Sequence, residues 1–246
     1  MIELNKIYNE DCLEGMKRIP DKSVDMILCD LPYGTTACKW DTIIPFEPLW
    51  EQYKRVIKDN GAIVLTARNP FSSNLVMSNV KMYKHKWVWN KKQSGSFFNA
   101  KLMPLQIEED VLVFAKGKVN YHPMMRTGKM RLKGRQSKET QWVKGLNKSD
   151  GVYSDKYYPT NIIEFANSRN KKNNIHPTQK PVALFEYLIK TYTNENETIL
   201  DNCMGSGTTA IACLNTNRNF IGFELDETYH TLANERIAKH LLERGD

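Results

Sequence analysis

Long apolar runs are missing from this 246-residue sequence, so no segment reads as a transmembrane helix. Its start, MIELNKIYNEDC, lacks the basic stretch and apolar core of a secretory signal. Cysteine is scarce: Cys12, Cys29, Cys38, Cys203 and Cys213 are odd in number, scattered, and form no CxxC pair. That excludes a disulfide framework and a closed zinc site, and makes a reducing cytoplasm the expected location. Nor is the chain poor enough in apolar residues to be disordered, since 41% are hydrophobic and 10% aromatic. Its length suits one sizeable core better than two.

Basic residues are in excess, with 35 Lys and Arg against 28 Asp and Glu. The excess is local. Residues 116–172 hold 14 basic and 4 acidic residues, a net of +10, while the other 189 residues have a net of −3. A nearly neutral body thus carries one basic insert, interleaved with Tyr121, Trp142, Tyr153, Tyr157 and Tyr158. Spread cations among aromatics suit phosphate contacts and base stacking. Within the insert Arg126, Lys129, Arg131, Lys133, Arg135 and Trp142 are the candidate nucleic-acid contacts.

In the body, short β-rich runs alternate with helical patterns. Strands are expected at 6–9, 24–29 (VDMILC), 62–67 (AIVLTA), 86–90, 110–115, 198–200 and 220–223. Helices are expected over 47–58, ended by Asn60-Gly61, and over 70–80, 184–192, from 208, and after Asp226. The alternation implies an α/β fold with a mostly parallel sheet, whose ligands bind at the carboxyl ends of the strands.

Two turns stand at such ends. Asp201-Asn202-Cys203-Met204-Gly205-Ser206-Gly207-Thr208-Thr209 follows one strand and opens a helix. Its glycines admit a ligand close to the backbone, and the helix start offers free N–H groups. The third glycine of a dinucleotide fingerprint and the lysine of a P-loop are both absent. Seventeen residues beyond Gly207, Glu224 closes the next strand, where a carboxylate can hold both ribose hydroxyls of a nucleoside. The other turn, Asp30-Leu31-Pro32-Tyr33-Gly34, ends VDMILC. Pro32 keeps Leu31 extended. Asp30 and the Leu31 carbonyl can then accept the two hydrogens of an amino group, with Tyr33 as a stacking face.

Asp30-Leu31-Pro32-Tyr33 resembles the D-P-P-Y motif of S-adenosylmethionine-dependent amino-group DNA methyltransferases, and residues 201–209 resemble their cofactor loop. The motif order, catalytic turn before the basic segment and cofactor loop after it, is similar to the beta-type arrangement. His176-Pro177-Thr178-Gln179-Lys180-Pro181 resembles the segment such enzymes carry before the cofactor loop. The resemblance implies a Rossmann-like, seven-stranded, circularly permuted methyltransferase sheet with an inserted target-recognition region. Residues 1–115 would form the catalytic half, 116–172 the basic insert and 173–246 the cofactor half. Asp30, Leu31, Pro32 and Tyr33 would be catalytic; Asp11, Lys180, Asp201, Cys203, Gly205, Gly207, Thr208 and Glu224 would hold the cofactor. Asp11 would meet the adenine amine of the cofactor or merely cap a helix; Lys180 would approach the methionine carboxylate or lie exposed before a helix begun by Pro181. Leu31 stands where the family has proline, but that position works through a backbone carbonyl. Cys203 replaces the family's phenylalanine. The expected reaction is methylation of the adenine N6 amine in DNA by base flipping and in-line transfer, without a metal. N4 of cytosine, an RNA or protein amine, and a non-catalytic binding module are the alternatives. A homodimer and a cognate restriction endonuclease are the partners the family suggests besides DNA.

Overall fold

The computed structural model describes residues 2–36, 38, 41–94, 97–133, 151–167 and 179–245. Its strands are β1 (Lys6–Tyr8), β2 (Val24–Asp30), β3 (Ile57–Ala67), β4 (Tyr83–Asn90), β5 (Glu108–Phe114), β6 (Arg126–Lys133), β7 (Val152–Tyr157), β8 (Ile162–Glu164), β9 (Thr198–Asp201) and β10 (Asn219–Phe223). Its helices are α1 (Cys12–Met16), α2 (Phe46–Val56), α3 (Phe71–Ser78), α4 (Val182–Tyr192), α5 (Thr208–Asn215) and α6 (Glu227–Arg244). Among the described residues no helix is long and apolar enough to cross a membrane.

One sheet runs in the order β1-β10-β9-β2-β3-β5-β4-β8, with β5 antiparallel to both neighbours and the other pairs parallel. Among the described residues it therefore has eight strands, where seven were expected. The addition is β8, which pairs with Val88, Trp89 and Asn90. It is held there by buried Ile163 and by Trp89 Nε1, which donates to the Phe165 carbonyl at 2.8 Å.

Strand alternation sorts the core into two layers. Ile27 and Cys29 of β2, Ile63 and Leu65 of β3, and Leu112 and Phe114 of β5 pack with α2 and α3 on one face. Met26 and Leu28, Ala62 and Val64, and Val111 and Val113 face α4 and α5 on the other. Both faces are covered, which is why these strands are nearly continuous apolar runs. The helix expected over 47–58 is not ended by Asn60-Gly61, which lies inside a strand. Instead α2 stops at Val56 and β3 runs straight through 57–67 beside β2, with a register shift between Val24 and Met26. Gly61 is what permits it, because a Cβ there would lie 2.7 Å from the Asp25 carbonyl oxygen.

A second compact unit comprises Pro123–Thr160, in which β6 pairs antiparallel with β7. These bounds are narrower than the charge-based 116–172 segment. Residues on either side belong to the sheet unit: Asn120 N donates to the Asn60 carbonyl and His122 N to the Thr191 carbonyl.

Candidate active site

The first turn begins where β2 ends. Asp30 continues the Met26–Leu28 face and pairs with Thr66 of β3. Its Oδ1 accepts from the Tyr33 hydroxyl at 2.8 Å and from the Thr66 hydroxyl, while Oδ2 accepts from Lys180 Nζ at 2.6 Å. The carboxylate plane is thus set from both sides. The Tyr33 ring stacks on Phe71 of α3, with centroids 5.2 Å apart and planes 28° from parallel. Burial, then the nearby Asp30 and Glu109 carboxylates, hold the Tyr33 phenol well above its usual range, so it remains a hydrogen-bond donor. Leu31 is buried in the α2 and α3 layer, which a leucine suits.

The second turn begins where β9 ends. Asp201 is buried; it accepts from Cys203 N at 3.0 Å and from the Thr209 hydroxyl, and so ties the turn to α5. Burial raises its carboxyl to about 6, against those hydrogen bonds. Gly205 and Gly207 both have left-handed backbones, with φ of 52° and 75°. Gly205 N donates to Glu224 Oε2 at 2.7 Å, and Asp226 N to Glu224 Oε1 at 3.0 Å. β10 ends at Phe223, so Glu224 is the first residue beyond it. Burial raises the Glu224 carboxyl while these backbone donors oppose the rise.

Both turns open into one cleft of about 910 Å³. Asp30, Leu31, Pro32, Tyr33, Asp11, Lys180, Asp201, Cys203, Gly205, Thr208 and Glu224 all line it. Gly207 is the exception. A Cβ on Gly207 would sit 3.3 Å from that of Ala233, so this glycine lets α6 pack against the start of α5. Asp11 both lines the cleft and caps α1, with Oδ1 accepting from Leu13 N at 2.8 Å and Glu14 N at 3.2 Å. Cys12, Cys29 and Cys203 lie close together at the second turn, and burial lifts the Cys29 thiol to about 12. They are poor nucleophiles in this setting.

Lys180 is buried, not exposed, at 8%. Its ion-pair partners here are Asp30 at 2.6 Å and Glu109 at 3.6 Å. Burial pulls its pKa down, but those two carboxylates outweigh it and hold the ammonium above its usual range. Thr208 Oγ1 donates to the Lys180 carbonyl at 3.3 Å, linking this residue to the start of α5. Sequence reasoning missed Glu109 and Lys91, whose Nζ donates to Glu109 Oε1 at 2.9 Å. A signal was present: in EEDVLVF, Glu109 alternates with Val111 and Val113, and Lys91 follows Trp87 and Trp89, all of them core-facing.

In the Pro123–Thr160 unit, Arg126, Lys129 and Arg131 of β6 are exposed, and with Gly128 and Tyr157 they line a shallow pocket of about 280 Å³. Lys133 Nζ sits 3.6 Å from the Tyr157 ring centroid. Arg135, Trp142 and His176-Pro177-Thr178 lie outside the described residues.

Comparison with known proteins gives a consistent picture. Residues 24–235 match the family model described as DNA methylase. The Type II methyltransferase M.HpaI of Haemophilus parainfluenzae is 28% identical over 94% of this chain and 74% of its own. The DNA adenine methyltransferase YhdJ of Escherichia coli strain K12 is 28% identical over 96% of this chain and 83% of its own. Among solved structures, the M1.HpyAVI–SAM complex is 26% identical, with a TM-score of 0.63 over 96% of this chain and all of that one. The cytosine-N4-specific PvuII methyltransferase, 14% identical with a TM-score of 0.68 over 98% of this chain and 92% of that one, shares the fold.

Proposed function

The chain belongs to the N6/N4 DNA methylase family of S-adenosylmethionine-dependent amino-methyltransferases, and on that premise we propose that its acceptor is the N6 amine of adenine in a specific DNA sequence. The observation that carries this reading is the Asp30 carboxylate, held by Tyr33, Thr66 and Lys180 in the same cleft as the Gly205 turn. An acidic residue at the head of the motif supports adenine, since cytosine enzymes of the family more often carry serine there. YhdJ, named as an adenine methyltransferase, supports it too.

The cleft residues fit the cofactor. Its volume is within the range of ligand sites, and a Cβ on Gly205 would meet nothing nearer than the Cys203 carbonyl at 3.9 Å, so the turn is open to a close neighbour. Asp11, Asp201, Cys203, Gly205, Thr208 and Glu224 would hold it. When bound, S-adenosylmethionine supplies a methyl group activated by a sulfonium leaving group.

The protein's own contribution is to prepare the nitrogen. The lone pair of an exocyclic amine is delocalised into the base, which makes it a weak nucleophile. Hydrogen bonds from the amine to Asp30 and to the Leu31 carbonyl favour a pyramidal nitrogen and free that pair. Tyr33 and Thr66 donate to Oδ1 of Asp30, so the amine would be taken at Oδ2, the oxygen that Lys180 contacts. Its negative charge also favours the positive charge gained by nitrogen during transfer. Duplex DNA buries the amine, so the base must leave the stack, and Tyr33, backed by Phe71, offers it a flat support. Arg126, Lys129, Arg131 and Lys133 would grip phosphates. Expression in a methylation-deficient bacterium, followed by sequencing that reports modified bases, should yield N6-methyladenine in one sequence context. N4-methylcytosine in its place would transfer the assignment to cytosine.

A further inference from the structure

Glu109 and Lys91 have no part in that chemistry, yet they end a chain of four charges that begins at the reacting carboxylate. Lys180 Nζ is 2.6 Å from Asp30 Oδ2 and 3.6 Å from Glu109 Oε2, and Lys91 Nζ is 2.9 Å from Glu109 Oε1. Register brings them to one face. Asp30 pairs with Thr66, Thr66 with Val111, and Glu109 lies two residues from Val111. Trp89 pairs with Glu109, and Lys91 follows Trp89 by two. Buried ion chains add little stability over apolar residues of similar size. This one therefore calls for another account. The telling atom is Glu109 Oε2, which is buried and has no hydrogen-bond partner among the described residues. Its contact with Lys180, at 3.6 Å, exceeds hydrogen-bond length. Unsatisfied buried acceptors are rare in folded proteins and often mark a working site.

We propose that Glu109 is a positioning residue that takes Lys180 over from Asp30 as the base amine arrives, freeing Asp30 Oδ2 to accept an amine hydrogen. The proposal rests on Asp30 as the amine acceptor. Before arrival, Lys180 occupies and neutralises Oδ2. A shift of its ammonium toward Glu109 turns the 3.6 Å contact into a hydrogen bond and keeps the net charge of the four groups at zero, while Asp30 keeps its hydrogen bonds from Tyr33 and Thr66 and gains those of the amine. No proton changes owner. Lys91 anchors the other Glu109 oxygen, so Lys180 moves rather than Glu109. Lysine suits this role, as a compact ammonium on a flexible stem.

Among the described residues, the groups around Lys180 are Asp30 on β2, Glu109 on β5, Lys91 beyond β4 acting through Glu109, the Tyr33 ring 5.8 Å away, and Asp201 on β9 acting through Asp30. Cationic Lys180 is required, since its neutral form would leave two carboxylates facing one another. Loss of Glu109 removes one of the two groups that hold Lys180 protonated, so transfer should fail at lower pH.

The test uses the full chain with Glu109→Gln, and with Glu109→Leu combined with Lys91→Met, which removes Glu109 together with its own counter-ion. Single-turnover methyl transfer should fall roughly 10- to 100-fold in both. Cofactor affinity by calorimetry should stay within about twofold, and the alkaline limb of the Glu109→Gln rate should move to lower pH. Transfer within about twofold of the parent with an unmoved limb would overturn the proposal, as would a fall in cofactor affinity that accounts for the whole loss of rate. Asp30→Ala, measured alongside, separates the two readings. Turnover in that variant removes Asp30 and the handover together; a dead Asp30→Ala beside an unaffected Glu109→Gln removes only the handover.

Discussion

At and behind the cleft wall, Lys180 and Lys91 are each 8% exposed and each meets a carboxylate, whereas in the Pro123–Thr160 unit Arg126, Lys129 and Arg131 stand in solvent along one strand. Burial is the difference. A cation out of water carries a desolvation cost of several kcal/mol and is tolerated only with a partner close by. An exposed cation keeps its hydration, costs the fold little, and is screened over about 8–10 Å by salt. The first kind of charge can orient a reacting group. The second attracts a polyanion and releases counterions as it does so.

This contrast breaks first at Asp30. Asp30→Ala should lower methyl transfer by at least about 10³-fold, while cofactor binding by calorimetry stays within a few-fold. Near-normal turnover would remove Asp30 from the chemistry. Lys180→Met should come next, because it leaves Asp30 without a cation and facing Glu109, which keeps only Lys91. Denaturant unfolding should show a loss on the order of 3–5 kcal/mol, and a change under about 1 kcal/mol would mean that the pair is far less buried than it stands here.

The third prediction concerns Asp201, whose carboxyl burial raises from 3.8 to about 6. Between those values the folded chain binds a proton that the unfolded chain has released, so this group's contribution makes stability fall as pH rises through the window. The slope is at most about 1.4 kcal/mol per pH unit. Asp201→Asn should remove it, read as the difference between parent and variant unfolding at pH 4.5 and pH 7. A pH-independent difference would refute the shift.

The smallest effect on the fold is expected in the basic unit. Lys129→Ala should leave the melting temperature unchanged and weaken DNA binding. The slope of log affinity against log salt should drop by about 1 if a phosphate contact is lost. A destabilised fold with an unchanged salt slope would show that Lys129 is structural, and the contrast with Lys180 would vanish.

Features with local causes were legible in the order of residues alone. Asp11 and Asp226 cap the helices that follow them because a short carboxylate reaches the next free N–H groups. Gly205 and Gly207 announce left-handed backbone because only glycine adopts it freely. Asn60-Gly61 misled as a helix end: its preference is local, and pairing with β2 started the strand at Ile57 before it. Gly207 could not be assigned between cofactor and packing, because Ala233 is distant in sequence.

By itself, the amino-acid sequence determined the α/β class, the two turns at strand ends and the basic segment, all of which depend on neighbours within a few positions. Only tertiary structure decided which charges meet. Lys180 lies 150 residues from Asp30 along the chain, and their contact exists because β2 and the segment before α4 come together over one face of the sheet. Glu109 joins them because β5 runs antiparallel beside β3, bringing its first residues to the carboxyl end of β2. Local preference names the groups; burial and register choose their partners and so their chemistry.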